Sequence, residues 1–218
     1  MEFFTHILGF FQKGGAFMYP IALVLVIGLG IAIERWLVLR KAERENRKLW
    51  AELQPLLSQG DFDAAERQAT ASDSAVGRVL ASTLMHARTH GSSRGELELA
   101  VEESLMEVTP LIERRTHYIG TFSNISTLLG LLGTVIGLIG AFAALSKADA
   151  VEKADLLSVG ISEAMNCTAF GLLVAIPFAL IHSYLQTRTN ELVDGLEMCC
   201  MKLVNARSSA TLRNSANR

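Results

Sequence analysis

Three long apolar runs decide the fold class of this chain. Residues 16–39 are broken only by Glu34 and Arg35 near the end, residues 119–145 carry no charge, and residues 156–185 carry only Glu163 and His182. Each run exceeds the ~20 residues that a helix needs to cross a hydrocarbon core of about 30 Å. Half of the 218 residues are apolar, which would suffice for a soluble core. A soluble helix, however, shows a polar face every turn, and these runs have none. In lipid each backbone polar group must be paired within the segment, so the runs are expected to be three transmembrane helices of an all-α membrane protein.

The flanks set the expected topology. Residues 1–15 start with Glu2 where an export signal has a basic region, and Arg35 follows the first run without a small-residue cleavage pattern, so that run reads as a retained span. Phe3, Phe4, Ile7, Leu8 and Phe11 recur at helical spacing, which predicts an amphipathic surface helix over residues 1–15. Arg40, Lys41, Arg44, Arg47 and Lys48 follow the first span, and Arg114 and Arg115 precede the second. Residues 40–118 are therefore expected in the cytoplasm, with the N-terminus and the loop 146–155 on the periplasmic side and the C-terminus inside.

The cytoplasmic residues read as helical extensions. The first span is expected to continue until Pro55 interrupts it, a short helix to follow an Asp61 N-cap, and another to cover residues 76–90. From Arg94 the spacing of Leu97, Val101, Leu105 and Val108 predicts a helix running into the second span, bent at Pro110. Residues 186–207 extend the third span inward, and the polar residues 208–218 are expected to be disordered. Cys167, Cys199 and Cys200 are spaced for neither a disulfide framework nor a zinc site and read as packing residues. The sequence contains no phosphate-binding glycine loop and no nucleophile–base pair, so an enzyme is not expected.

The chemistry lies in the second and third spans. Glu163 has no Lys or Arg within its run, and an acid placed in a bilayer marks a functional site by default. Asn166 and Cys167 share its side of the helix, whereas Thr168 lies about 140° around and is free to face Thr134 of the second span or another subunit. Ser123, Thr127 and Thr134 form a hydroxyl stripe that suggests a wet surface, with Ser123, Thr127 and Asn166 as candidate pore-lining groups. Gly130, Gly133, Gly137 and Gly140 line one face and suit close helix approach, either within the chain or between subunits. A structural role for Glu163, as an acid satisfied near the outer end of the span by Asn166, a hydroxyl or interfacial water in a non-conducting scaffold, is the competing reading.

The run Leu129-Leu-Gly-Leu-Leu-Gly-Thr-Val-Ile-Gly137 and the run Gly160-Ile-Ser-Glu-Ala-Met-Asn-Cys-Thr-Ala-Phe-Gly-Leu-Leu-Val-Ala-Ile-Pro177 together resemble the paired signature of the MotA/TolQ/ExbB proton channel proteins. The resemblance is strong over these two spans and looser over the Glu34-Arg35 exit of the first. It implies a pore lined by the second and third helices, with Glu163 as the membrane glutamate and Thr134 and Thr168 as pore threonines. It further implies an inner-membrane homopentamer around two copies of a one-span ExbD/TolR-type partner with an intramembrane Asp, and protons as the coupling ion with no cofactor, metal or nucleic acid. Three spans and a short cytoplasmic part favour the ExbB/TolQ branch over MotA, and Asn166 departs from the apolar residues usual there. The expected role is an ExbB-like energiser of TonB-dependent transport, with TolQ-like envelope maintenance or a gliding-type motor as alternatives.

Overall fold

The computed structural model describes residues 14–89, 93–146, 149 and 152–216, with side chains through residue 210. The expected amphipathic helix lies almost wholly outside the described residues. Among the described residues there are six helices: α1 (Met18–Gln59), α2 (Phe62–Thr70), α3 (Ala75–Thr89), α4 (Arg94–Glu113), α5 (Thr116–Leu145) and α6 (Lys153–Ala216). Three stretches, in α1, in α4 with α5, and in α6, are long and apolar enough to cross a membrane. The chain divides into two compact units, one formed by residues up to Glu34 with Arg115–Tyr184, the other by Arg35–Arg114 with residues from Leu185 on.

The first unit is apolar inside and out. Met18, Ile21, Ile119, Val174 and Phe178 are buried, while Leu23, Val26, Leu128, Ile139, Leu173 and Leu180 are exposed, as side chains facing hydrocarbon would be. Small residues bring its helices together. A Cβ on Gly171 would lie 2.7 Å from the Ser126 carbonyl oxygen of α5, and one on Gly137 would lie 3.2 Å from Ala164 Cβ. One on Gly28 would overlap the ring of Phe178, so α1 meets α6 at that point.

The second unit packs like a soluble helical domain. Leu49, Leu53 and Leu57 make a buried stripe on α1, joined by Ala65, Ala69, Val79, Leu80, Leu97, Val101, Leu196 and Leu203 from the other helices. Asp61 caps α2 by accepting from Ala64 N–H at 3.0 Å, and Ser93 with Glu96 forms a capping box on α4. The buried Asn46 amide oxygen accepts from Val76 N–H at 3.2 Å, fixing the start of α3. Arg35 is buried too, and its guanidinium donates to the Ile112 carbonyl near the end of α4.

Three expectations are corrected. Helix α1 continues through Pro55 to Gln59. A proline inside a helix costs about 3 kcal/mol, and burial of Leu53 and Leu57 on either side of it offsets that cost. The helix expected to run from Arg94 into the second span is instead interrupted at Arg114 and Arg115, while Pro110 sits inside α4. Arg114 is extended (φ −45°, ψ 133°) and Arg115 is left-handed (φ 66°, ψ −11°), so two successive non-helical residues end one helix and begin the next. Finally, the tail expected to be disordered is helical through Ala216. Helix propagation needs only local bonds, and Ala206, Ala210, Leu212 and Arg213 are good helix formers.

Candidate functional site

Glu163 lies in the first unit on α6, half-buried, ten residues past the start of the helix. Its carboxylate occupies the space that a side chain at Gly15 would fill, just before α1 begins, and Gly15 itself has φ +74°. A side chain there would meet the carboxylate and strain the backbone, so glycine is required twice over. The carboxylate accepts no hydrogen bond and forms no ion pair among the described residues. Of the groups weighed for a structural role, neither Asn166 nor a hydroxyl bonds it among the described residues.

One turn further on, the chain builds a hydroxyl pair. Thr168 faces α5, where its Oγ1 is hydrogen-bonded to Thr134 Oγ1. Both hydroxyls also lie 3.0 Å from the Gly130 carbonyl oxygen. Two hydroxyls carry two protons, and these three contacts would need three. One threonine therefore donates to the carbonyl while the other donates to it, and the two arrangements interconvert by rotating hydroxyls. Such a pair can accept a proton on one side and give one up on the other.

The remaining candidates divide by location. Ser123 is buried and donates to the Ala175 carbonyl at 2.7 Å, so it ties α5 to α6 and has no proton left for a pore. Thr127 bonds back to the Ser123 carbonyl of its own helix at 3.2 Å. Asn166 is half-buried, with no hydrogen-bond partner among the described residues. Gly130, Gly133 and Gly137 all abut α6 of the same chain, while a Cβ on Gly140 would meet nothing within 4 Å. Three of the four glycines thus have close neighbours on a helix of their own chain. Cys167 is buried at this seam, its sulfur where a Gly133 side chain would go.

The sequence reading missed Gly15. Its signal was the Gly14-Gly15 pair ahead of the first apolar run, but only the fold brings that turn against a residue nearly 150 positions away.

Three helices long and apolar enough to cross a membrane, an acid in one of them with no hydrogen-bond partner among the described residues, and a threonine pair further along the same helix define a class: a helical membrane protein with a protonatable group in an apolar helix. The chain belongs to the MotA/TolQ/ExbB proton channel family, whose model matches residues 71–198. Among curated relatives, an ExbB-homologue biopolymer transport protein of Methanothermobacter thermautotrophicus is 28% identical over 200 residues, covering 91% of this chain and 69% of that protein. A biopolymer transport protein of the ExbB-like group from Synechocystis sp. is 33% identical over 178 residues, covering 78% of this chain and 66% of that one. The Tol-Pal system protein TolQ of Haemophilus influenzae is 38% identical over 79 residues, covering 36% of this chain and 34% of that protein.

Proposed function

We propose that this chain is the proton-conducting subunit of an inner-membrane motor, in which Glu163 takes up and releases the coupling proton and Thr134 and Thr168 pass it along. The observation that carries this reading is the Glu163 carboxylate, held in an apolar span with no protein group bonded to it among the described residues. An unpaired acid in hydrocarbon is costly, and protonation or water relieves that cost. The subunit assembles as a homopentamer around two copies of a one-span partner whose intramembrane Asp supplies the second acid, since the apolar runs of this chain contain none besides Glu163 and the helix-exit residue Glu34. The basic flanks support an N-terminus in the periplasm and a C-terminus in the cytoplasm. One charge crossing 100 mV releases about 2.3 kcal/mol, enough to advance the motor against a modest load. The load is TonB-dependent transport; the two longest matches described, to biopolymer transport proteins of the ExbB type, support this over a Tol system.

The test is Glu163→Gln, which keeps shape and hydrogen bonding but cannot release a proton. The variant complex assembles normally and loses proton flux by about a hundredfold, within the range for removal of a proton-transferring group. Thr134→Val and Thr168→Val lower flux in a graded way. Full activity of Glu163→Gln at normal expression refutes the channel reading and leaves a scaffold.

A further inference from the structure

Past its apolar run, helix α1 becomes cationic on one side. The run ends at Leu39, and Arg40, Lys41, Arg44, Arg47 and Lys48 follow in close succession. At about 100° per residue, Arg40, Arg44, Arg47 and Lys48 fall in a sector of about 100° on the helix surface. The buried Arg35, Asn46, Leu49 and Leu53 lie opposite, so the sector faces away from the protein. All four basic side chains are exposed, and so is Leu37, which shares their sector. The acids of the same stretch, Glu43, Glu45 and Glu52, fall outside it.

Several cations of this unit are neutralised within the protein. Arg94 pairs with Glu98 at 2.8 Å and Arg188 with Glu191 at 3.0 Å, while Lys41, just outside the sector, has Glu45 at 3.7 Å. Arg40, Arg44, Arg47 and Lys48 form no ion pair among the described residues. Arg40 instead lies over Trp36, its guanidinium carbon 4.0 Å from the ring centroid. Stacking occupies the face of the guanidinium and leaves its N–H edge free, and that edge matches a phosphate geometrically. Tryptophan is the residue of the boundary between hydrocarbon and headgroups. From that boundary the headgroup zone extends about 5–8 Å. Arg40 lies ~6 Å past Trp36 along the axis and Arg44 ~12 Å, so long side chains bent back along the helix reach the zone. Arg47 and Lys48 lie about 10 Å beyond it, close to the Debye length at physiological ionic strength, and attract the surface without touching it.

We propose that Arg40 and Arg44, with Trp36, form a site for the phosphodiester headgroup of an anionic glycerophospholipid in the leaflet through which α1 exits, and that Arg47 and Lys48 draw such lipids to it. The exposed Leu37 and the basic residues after it meet acyl chain and headgroup in the order in which a lipid presents them, which favours a lipid over a second protein copy as the occupant. Zwitterionic lipids carry a phosphate too, but their ammonium cancels the attraction of the more distant cations, so net charge sets the preference. The site requires α1 to cross the membrane and is independent of whether Glu163 conducts protons.

The test uses the full chain with Trp50→Phe, which leaves Trp36 as its one tryptophan, reconstituted in phosphatidylcholine liposomes at low ionic strength. Phosphatidylglycerol or phosphatidylcholine, each brominated near the top of the acyl chain, is added in rising fractions and quenching of Trp36 fluorescence is read. Brominated phosphatidylglycerol is expected to associate about twentyfold more strongly, from about fivefold for each of two basic residues held near the surface. The ratio of the two lipids is compared and not the intensity, because Arg40→Gln also removes the stack on Trp36. Arg40→Gln combined with Arg44→Gln should bring the ratio below about fivefold, and salt at about 0.5 M should do the same to the unaltered face. Arg78→Gln, at an exposed arginine of α3, should leave the ratio unchanged. A ratio near one in the starting chain overturns the proposal, as does an unchanged ratio in the double variant. Equal protection of Trp36 from both brominated lipids shows that another protein copy covers this face, and overturns it as well.

Discussion

The seam between α5 and α6 makes a quantitative prediction at Gly133. A Cβ there would overlap the Cys167 sulfur and come within 3.1 Å of both Cys167 Cβ and Phe17 Cβ. Cys167 is 1% exposed, so its sulfur has no open space to move into. Overpacking of this kind costs about 1–3 kcal/mol, against a gain of up to about 1 kcal/mol for replacing glycine by alanine in a helix. Gly133→Ala should therefore destabilise the chain by about 1–2 kcal/mol. Cys167→Ala removes the sulfur, leaving the two 3.1 Å contacts, which a shift of a few tenths of an ångström relieves. In that background Gly133→Ala should be nearly neutral, giving a coupling energy of about 1–2 kcal/mol. Gly140→Ala is the control, since its Cβ would meet nothing within 4 Å. The assay is reversible unfolding in mixed micelles followed by the fluorescence of Trp36 and Trp50. Additivity of Gly133→Ala and Cys167→Ala within about 0.5 kcal/mol refutes the contact.

Two further outcomes follow from the second unit. Replacing Arg35 with Lys removes the guanidinium fork that reaches the Ile112 carbonyl; loss of a hydrogen bond to a charged donor costs about 1.5–3 kcal/mol, read as a lower unfolding midpoint in the same assay. Burial pushes the Cys199 thiol up to about 11 and the Cys200 thiol up to about 12. Both thiols stay protonated at neutral pH, so alkylation of the folded chain should be slow and should accelerate about tenfold per unit as pH rises toward those values. The sign for stability is also fixed. Unfolded thiols ionise first, from the ordinary 9.0, so the folded state holds more protons and its stability falls as pH climbs above that value. A labelling rate at neutral pH equal to that of the unfolded chain contradicts this burial.

How much was legible in the sequence follows from the range of each interaction. The three spans and the caps at Asp61 and Ser93 rest on local pattern, and the Asp61 cap and the short helix after it were read correctly. The facing of Thr168 and Thr134 was legible as one of two options, because Thr168 lies about 140° around the helix from Glu163 and need not touch it. What failed was the weighing of local breakers against distant packing. Pro55 signals interruption yet lies inside a helix, while the break before the second span uses a left-handed arginine that no propensity favours. Ser123 illustrates the same limit. Its place in a hydroxyl stripe suggested a wet surface, and its partner, the Ala175 carbonyl, is fixed only when α6 is laid against α5.

The geometry of the glycine face constrains how subunits could meet. A helix pair held by glycine on backbone, as at Gly171 against Ser126, has little freedom to slide, because neither side can yield without moving a main chain. The α5–α6 seam therefore acts as a rigid body that keeps the threonine pair aligned. In the proposed motor, motion coupled to proton passage is then accommodated at surfaces outside this seam. On α5 these include Leu128, Leu131, Val135, Ile139 and Phe142, all exposed in the isolated chain, with Gly140 among them as the one glycine of the face that touches nothing. A bulky residue at Gly140 should thus spare the folded chain and disturb assembly, whereas the same residue at Gly133 acts first on the chain itself. On the proposed assembly, the two glycines, seven residues apart on one helix, are expected to separate folding from association within a single motif.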